Sequence, residues 1–284
     1  MLDLVKDLKN SSRNDVSFVV TENEEIITFN NEEDLFVLVD YKKLEQKENY
    51  VFNFASKKKV SIIEINNSSN KVIFNLGEYS FVNHSIAFCD VGNSTNYEVN
   101  LSLGATYEGA LADFSYGNEN VKVTCNLNER DSKVLWHLSS LATLDDKKEF
   151  DISINHYAPH TYAKMENYGV NENRASMNFL GVSKIHKGAK TSATHQSAKI
   201  MVFDADCKAK ASPSLCIDEN DVEASHAAVV GQINEDHIFY LTSRGIKEEE
   251  AKKLITLGYL NPILNYFNDE QILSSIKETI DRRF

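Results

Sequence analysis

The chain has 284 residues, enough for one large domain or two ordinary ones, and its 42% hydrophobic content can fill a core. Thirty basic residues against 42 acidic ones leave a formal net charge of −12, a balance that repels a phosphate backbone and argues against nucleic acid as a partner. No apolar run approaches the ~20 residues that span a bilayer, which argues against a membrane partner.

The start, Met1-Leu2-Asp3-Leu4-Val5-Lys6-Asp7, lacks the apolar core of a signal peptide. Apolar positions at Leu2, Val5 and Leu8 fit one short helix over residues 1–9. Acidic stretches follow at 22–25 and 32–34, around small apolar clusters. Four scattered cysteines (Cys89, Cys125, Cys207, Cys216) make no disulfide framework, so the expectation is a cytoplasmic protein with reduced thiols.

From about residue 60 to 217 short strand-like runs dominate, at 60–65, 72–76, 99–103, 121–127, 134–138, 150–154 and 199–203. Several alternate apolar and polar residues, as in Val121-Lys122-Val123-Thr124-Cys125, the pattern of half-buried strands. So long a run of strands without helices implies a sandwich, a barrel or a stacked solenoid. Asn-Gly and Asp-Gly hairpin signals are absent, and with only three prolines and eleven glycines, the abundant Asn is read as ending strands at turns. A parallel β-helix needs no hairpins, so it is the preferred reading, although no fixed-length repeat is visible.

After Asp221 the texture becomes helical. Ala251, Leu254 and Ile255 lie at helical spacing behind Glu248, Glu249 and Glu250, with Gly258 as the expected stop. Asn261-Pro262 starts a further turn carrying Ile263, Leu264 and Phe267. Asn268 opens the last helix, with Gln271 three residues on and a stripe of Ile272, Leu273, Ile276 and Ile280. The expected organisation is a short N-terminal segment (1–59), a parallel β-helix core (60–233) and a C-terminal helical subdomain (234–284).

No phosphate-binding loop is present: residues 181–188 read GVSKIHKG, without the Gly-Lys-Ser/Thr ending, and fit a turn. Cys125 lies in an alternating strand and reads as a core residue, as does Cys89. Cys207, in Asp204-Ala205-Asp206-Cys207-Lys208, is the thiol whose charged setting suggests exposure. His156 and His160 are four apart, but Pro159 breaks the helix that would align them. His226 stands between the strand region and the helical end.

Residues 174–267 resemble the C-terminal signature of the SufB/SufD family, most densely in DVEASHAAVVGQINEDHIFYLTSRGIKEEEAKKLITLGYL. Ser225-His226, Val230-Gly231, Phe239-Tyr240-Leu241, Ser243-Arg244-Gly245-Ile246 and Ala251 match that signature in order and spacing. Upstream, Gln196 with Ile200-Met201-Val202, then Ala211, Pro213 and Leu215, resembles its preceding segment.

The resemblance implies a right-handed parallel β-helix flanked by helices, acting as a scaffold subunit of the Suf iron–sulfur cluster assembly complex and not as an enzyme. It implies pairing with a SufB-like or identical subunit through the β-helix edge, and docking of the ABC-type ATPase SufC on the C-terminal helices. The docking candidates are Phe239, Tyr240, Arg244 and Gly245. His226 is the candidate metal or interface ligand, with Cys207 beside it as a candidate, and the remaining ligands come from a partner. Ala224, Ala227 and Ser197 stand where relatives carry Cys, Glu and Cys, so no cluster is expected to bind stably to the chain alone, and any cluster is transient at a subunit interface. A carbohydrate-active β-helix enzyme using Asp113, Asp151 or Glu166 is the alternative from another class, and a homodimeric SufB/SufD-like scaffold is a third reading.

Overall fold

A computed structural model describes residues 3–4, 15–67, 71–90, 92 and 94–284. In chain order the strands are β1 (Asp3–Leu4), β2 (Val16–Val20), β3 (Glu24–Phe29), β4 (Leu35–Asp40), β5 (Asn49–Phe54), β6 (Lys59–Ile65), β7 (Lys71–Leu76), β8 (Phe81–Phe88) and β9 (Ser94–Leu101). They continue as β10 (Thr106–Asp113), β11 (Asn118–Leu127), β12 (Lys133–Ala142), β13 (Lys147–His156), β14 (Tyr162–Asn171), β15 (Ser176–Ile185), β16 (Ser192–Val202), β17 (Lys208–Ile217) and β18 (Val222–Gln232). Helices α1 (Glu235–Thr242), α2 (Glu248–Leu260) and α3 (Glu270–Asp281) follow, with a 3₁₀ turn (Asn261–Tyr266) before α3.

From β3 on, successive strands go alternately to two sheets. Sheet A stacks β1, β4 and then every even strand to β18; sheet B runs from β17 through the odd strands to β3 and β2. Among the described residues only β2–β3 is antiparallel; every other ladder is parallel. The chain is a two-sheeted parallel β-solenoid, as the strand texture predicts.

The coil length is not constant, which explains why no repeat is legible. Lys59 pairs with Phe81, 22 residues on, whereas Ser176 pairs with Lys208, 32 residues on. What does recur is a corner. Lys57, Tyr79, Gly104, Asp131, His160 and Thr191 all take φ between 55° and 62°. The N–H of Tyr79 donates to Leu103, of Gly104 to Arg130, of Asp131 to Pro159, of His160 to Lys190 and of Thr191 to Asp221, each one coil further on. A small residue follows most of these corners: Ser80, Ala105, Ser132, Thr161 and Ser192 are each at most 1% exposed. The punctuation is a backbone conformation that several residue types adopt, so composition does not reveal it.

Inward residues of both sheets close a dry core, including Phe52, Phe74, Tyr107, Trp136, Cys125 and Phe179. Asn66 and Asn173 do take the left-handed turn conformation expected of asparagine, with φ of 56° and 61°, and on the outer face of sheet B other asparagines form a ladder. Asn75 donates to Asn53, Asn100 to Asn75, Asn126 to Asn100 and Asn155 to Asn126, at 2.9–3.1 Å. In-register amides one coil apart satisfy each other, as stacked Asn side chains do in other parallel β arrays.

The outer face of sheet A is covered instead by the C-terminal chain. Leu260, Ile263, Phe267, Ile272, Ile276 and Ile280 pack on Ile63, Ala87, Ala110, Ala112, Phe114, Leu141 and Val170. Burying each large side chain is worth about 1.5–3 kcal/mol. Arg283 ends this strap, wholly buried; it donates to the carbonyls of Ser115 (2.8 Å) and Leu141 (3.3 Å) and to the Asp146 carboxylate, and lies over the Tyr116 ring.

Several boundaries differ from expectation. Most of the helix expected over residues 1–9 lies outside the described residues, and Asp3–Leu4 is strand β1 paired with β4. The solenoid begins before residue 60, because β3, β4 and β5 already stack in parallel register on β5, β6 and β7. Gly258 does not stop α2, which runs on to Leu260 because that side chain is buried against sheet A. The cap of α3 is Asp269, not Asn268: its carboxylate accepts from Ile272 N–H at 2.9 Å. Of 181–188, the first half is strand β15 and only the end is a turn.

Candidate functional site: an open stack end joined to a helical handle

Among the described residues, no strand is stacked on the last coil, β17 and β18. Lys208 and Asp218 donate their N–H to Ala175, just before β15, and to Ile185 at its end. In an evenly spaced parallel ladder the intervening N–H groups of Ala209, Ala211, Leu215 and Ile217 then point off the stack, and Pro213 supplies none. By the same alternation Ile233 donates to Val202, leaving the N–H groups of Ala224, His226, Ala228 and Val230 on the free edge of β18. Such an edge is a template for pairing with another chain unless it is blunted. The core positions of this coil are small or lightly apolar, and Ile217, Val229 and Val230 are exposed.

His226 pairs in register with Gln196, Gln196 with Met165, and Met165 with Trp136. Gln196 and Met165 are core-facing and buried, so His226 caps the same inward column at the mouth, where it is exposed. Beneath it the Gln196 amide donates to Ser183 Oγ (2.6 Å) and to the Ser214 carbonyl (3.1 Å), crossing to sheet B. Cys207 sits elsewhere, at the turn entering β17, half-buried with Sγ against the Asn173 carbonyl at 3.4 Å. Burial first, and then the charges of Asp204, Glu172 and Asp206, push its thiol up, which disfavours the thiolate. The structure therefore does not bring Cys207 and His226 together as one ligand set. Among the described residues no three His, Cys, Asp or Glu side chains form a group able to hold a metal ion.

The handle leaves the mouth directly, since only residues 233 and 234 separate β18 from α1. Asn234 caps α1 by accepting from Asp236 N–H at 2.9 Å. The helix stops at Gly245, whose φ of +88° is the left-handed conformation of a C-terminal cap, with Gly245 N–H bonded to Thr242 and Ile246 N–H to Leu241. The Ser-Arg-Gly-Ile motif is thus a helix stop. No residue of α1 is buried: Phe239 is 73% exposed, and Arg244 lies over the exposed Tyr240 ring at 4.3 Å.

The carboxylates of the enzymatic alternative do not converge. Asp113 faces the core, fully buried against Lys148 (3.2 Å) and Ser140 (2.7 Å). Asp151 lies on the outer face of sheet B near Ser153, and Glu166 on the outer face of sheet A beside His137 and Lys164. His156 is buried on Thr161 and His160 occupies a corner, so they form no pair.

The family whose signature covers SUF system FeS cluster assembly, the SufBD core domain, matches residues 40–259. The chain belongs to the SufB/SufD family. Among similar SufBD proteins, the iron–sulfur cluster assembly protein SufD of Bacillus subtilis (strain 168) is 32% identical over 139 residues, covering 49% of this chain and 32% of that protein. A SufBD family protein of Staphylococcus aureus (strain USA300) is 23% identical over 184 residues, covering 62% of this chain and 40% of its own length. One from Mycobacterium bovis is 28% identical over 119 residues, covering 42% and 14%. The chain thus spans less than half the length of these SufBD relatives. The SufBD core match starts at residue 40 and so takes in strand β5, consistent with β5 belonging to the stack. What residue reasoning missed was the open coil itself; its trace was Ala209 and Ala211, which pair in register with Met177 and Phe179 of the coil beneath.

Proposed function

We propose that this chain is a scaffold subunit of iron–sulfur cluster assembly, pairing through the free edges of β17 and β18 and presenting α1 to an ABC-type ATPase of the SufC kind. The observation that carries the reading is the unpaired last coil continuing within two residues into a helix with no buried side chain. A solenoid end with unpaired strand edges and exposed apolar residues needs a cover, and a SufB-like subunit or a second copy supplies strands for it. The chain has no phosphate loop of its own, so the nucleotide-driven step falls to the ATPase. Its place is the cytoplasm; among the described residues no helix is long and apolar enough to cross a membrane.

In this assembly Phe239, Tyr240 and Arg244 meet the ATPase while Gly245 ends the helix that presents them. His226 offers an imidazole at the mouth, and the thiolates that iron–sulfur clusters favour come from the partner. The test is co-purification with a SufC-like ATPase and a SufB-like subunit. Arg244→Glu is expected to lose ATPase binding while circular dichroism and pairing stay intact; unchanged binding removes α1 from the docking surface. In the complex reconstituted anaerobically, His226→Ala is expected to lower cluster absorbance, and equal absorbance returns His226 to a structural role.

A further inference from the structure

Two strands below the mouth in sheet A, the strap does not seal the outer face completely. A cavity of about 360 Å³ remains between β12 and β14 on one side and α2 with the 3₁₀ turn on the other. A second, of about 280 Å³, lies on the far side of Tyr266. The first is within the size range of small-molecule sites, ~300–1,000 Å³.

Its floor is rich in acceptors. Ser139 is 3% exposed and lines the cavity. His137 Nδ1 lies 3.4 Å from the Glu166 carboxylate, whereas Nε2 is buried, 3.9 Å from Glu108 and without a hydrogen-bond partner. A proton on Nδ1 suits the adjacent carboxylate and leaves Nε2 as an open acceptor. Burial, opposed by Glu166 and aided by Lys164, holds His137 below the ordinary histidine range, so the ring is neutral at pH 7.

The walls are aromatic. Tyr266 stacks on His137 with centroids 4.5 Å apart, and Tyr168 meets Tyr259 edge-on at 5.7 Å. Burial pushes the phenols of Tyr259 and Tyr266 up to about 12, Tyr266 also through Glu108 and Glu166, so both rings stay neutral. Two of the chain's own ammonium groups already contact these residues: Lys164 Nζ sits 2.9 Å from Glu166, and Lys199 Nζ 5.7 Å over the Tyr168 ring.

A carboxylate and an unfilled acceptor at the floor, with tyrosine faces around them, are complementary to an ammonium group, which is drawn to both. We propose that this cavity is a binding site for a small organic cation of the alkylammonium class, contacted by Ser139, His137 and Glu166 and walled by Tyr168, Tyr259 and Tyr266. The site is independent of the open end and of α1, so it stands or falls apart from the scaffold reading. The cation is either a free amine or the side chain of a lysine on another protein.

Calorimetric titration of the full chain at pH 7.5 tests the site, with cadaverine as the free amine, a short peptide holding one lysine, and 1-pentanol as the uncharged control. Cadaverine or the peptide is expected to bind saturably and 1-pentanol not to bind. Glu166→Gln, a partly exposed isosteric change, is expected to weaken binding at least tenfold with unchanged circular dichroism. Tighter binding of the peptide assigns the cation to a protein side chain, and tighter binding of cadaverine to a free amine. Binding is expected to fade below the histidine range, as a protonated His137 beside Glu108, Glu166, Lys164 and Tyr266 repels the ligand. No saturable binding of either amine, equal binding to Glu166→Gln, or equal binding of 1-pentanol overturns the site.

Discussion

Arg283 closes the strap with a guanidinium that has lost all contact with water, and its partner Asp146 is nearly as buried. Removing one member of such a pair leaves the other charge desolvated, a loss of about 3–5 kcal/mol. Arg283→Met is therefore expected to lower the unfolding free energy by that order in urea titration, and a change below 1 kcal/mol would mean that Asp146 finds other solvation. Nothing in the sequence marked this position, since no motif or apolar stripe includes Arg283. Gly245 stood out only as a docking candidate within its motif, and its place as a helix stop emerges from its φ of +88°. The motif singled out His226, whose position atop the Gln196 column follows only from the strand register.

Between elements, two seams respond differently. The asparagine ladder joins coils through side chains that keep some contact with water, so each rung contributes modestly. Asn100→Leu leaves Asn75 Oδ1 and the Asn126 amide without their rung partners, and is expected to cost about 1 kcal/mol in urea titration. No measurable change would assign register to the core alone. The seam between the solenoid and α2 carries a carboxyl instead. Glu172 has a buried Oε1 without a hydrogen-bond partner. Burial raises its pKa to about 7, with Asp204 raising it further and Lys252, Arg283 and Thr256 opposing. A raised folded pKa means the native state holds the proton longer than the unfolded chain. Stability from this group is complete below about pH 4.5 and declines as pH rises toward 7. Glu172→Gln is expected to flatten that decline and to be the more stable form at pH 8; parallel pH profiles for both proteins would remove Glu172 as the cause. The strands at 121–127 and 150–154 were legible because they alternate against one solvated face. Strands β8, β10 and β14 were not, because the strap covers their outer face as well, and Ala, Ser and Gly fill positions where alternation should appear.

For the molecule as a whole, fold class was readable from the absence of hairpin signals and of helical period over the middle of the chain. The division into three parts was not. Strands were expected within residues 1–59, but not that β3, β4 and β5 stack into the solenoid, and much of the helical end is a cover for sheet A, with α1 alone wholly unburied among its helices. The lengthening interval between paired residues, from 22 between β6 and β8 to 32 between β15 and β17, has a geometric outcome. The stack flares: its girth is greater near the mouth than near the start. A flared stack has no interchangeable rungs, so copying or deleting one turn in its middle would set a narrow ring against a wide one.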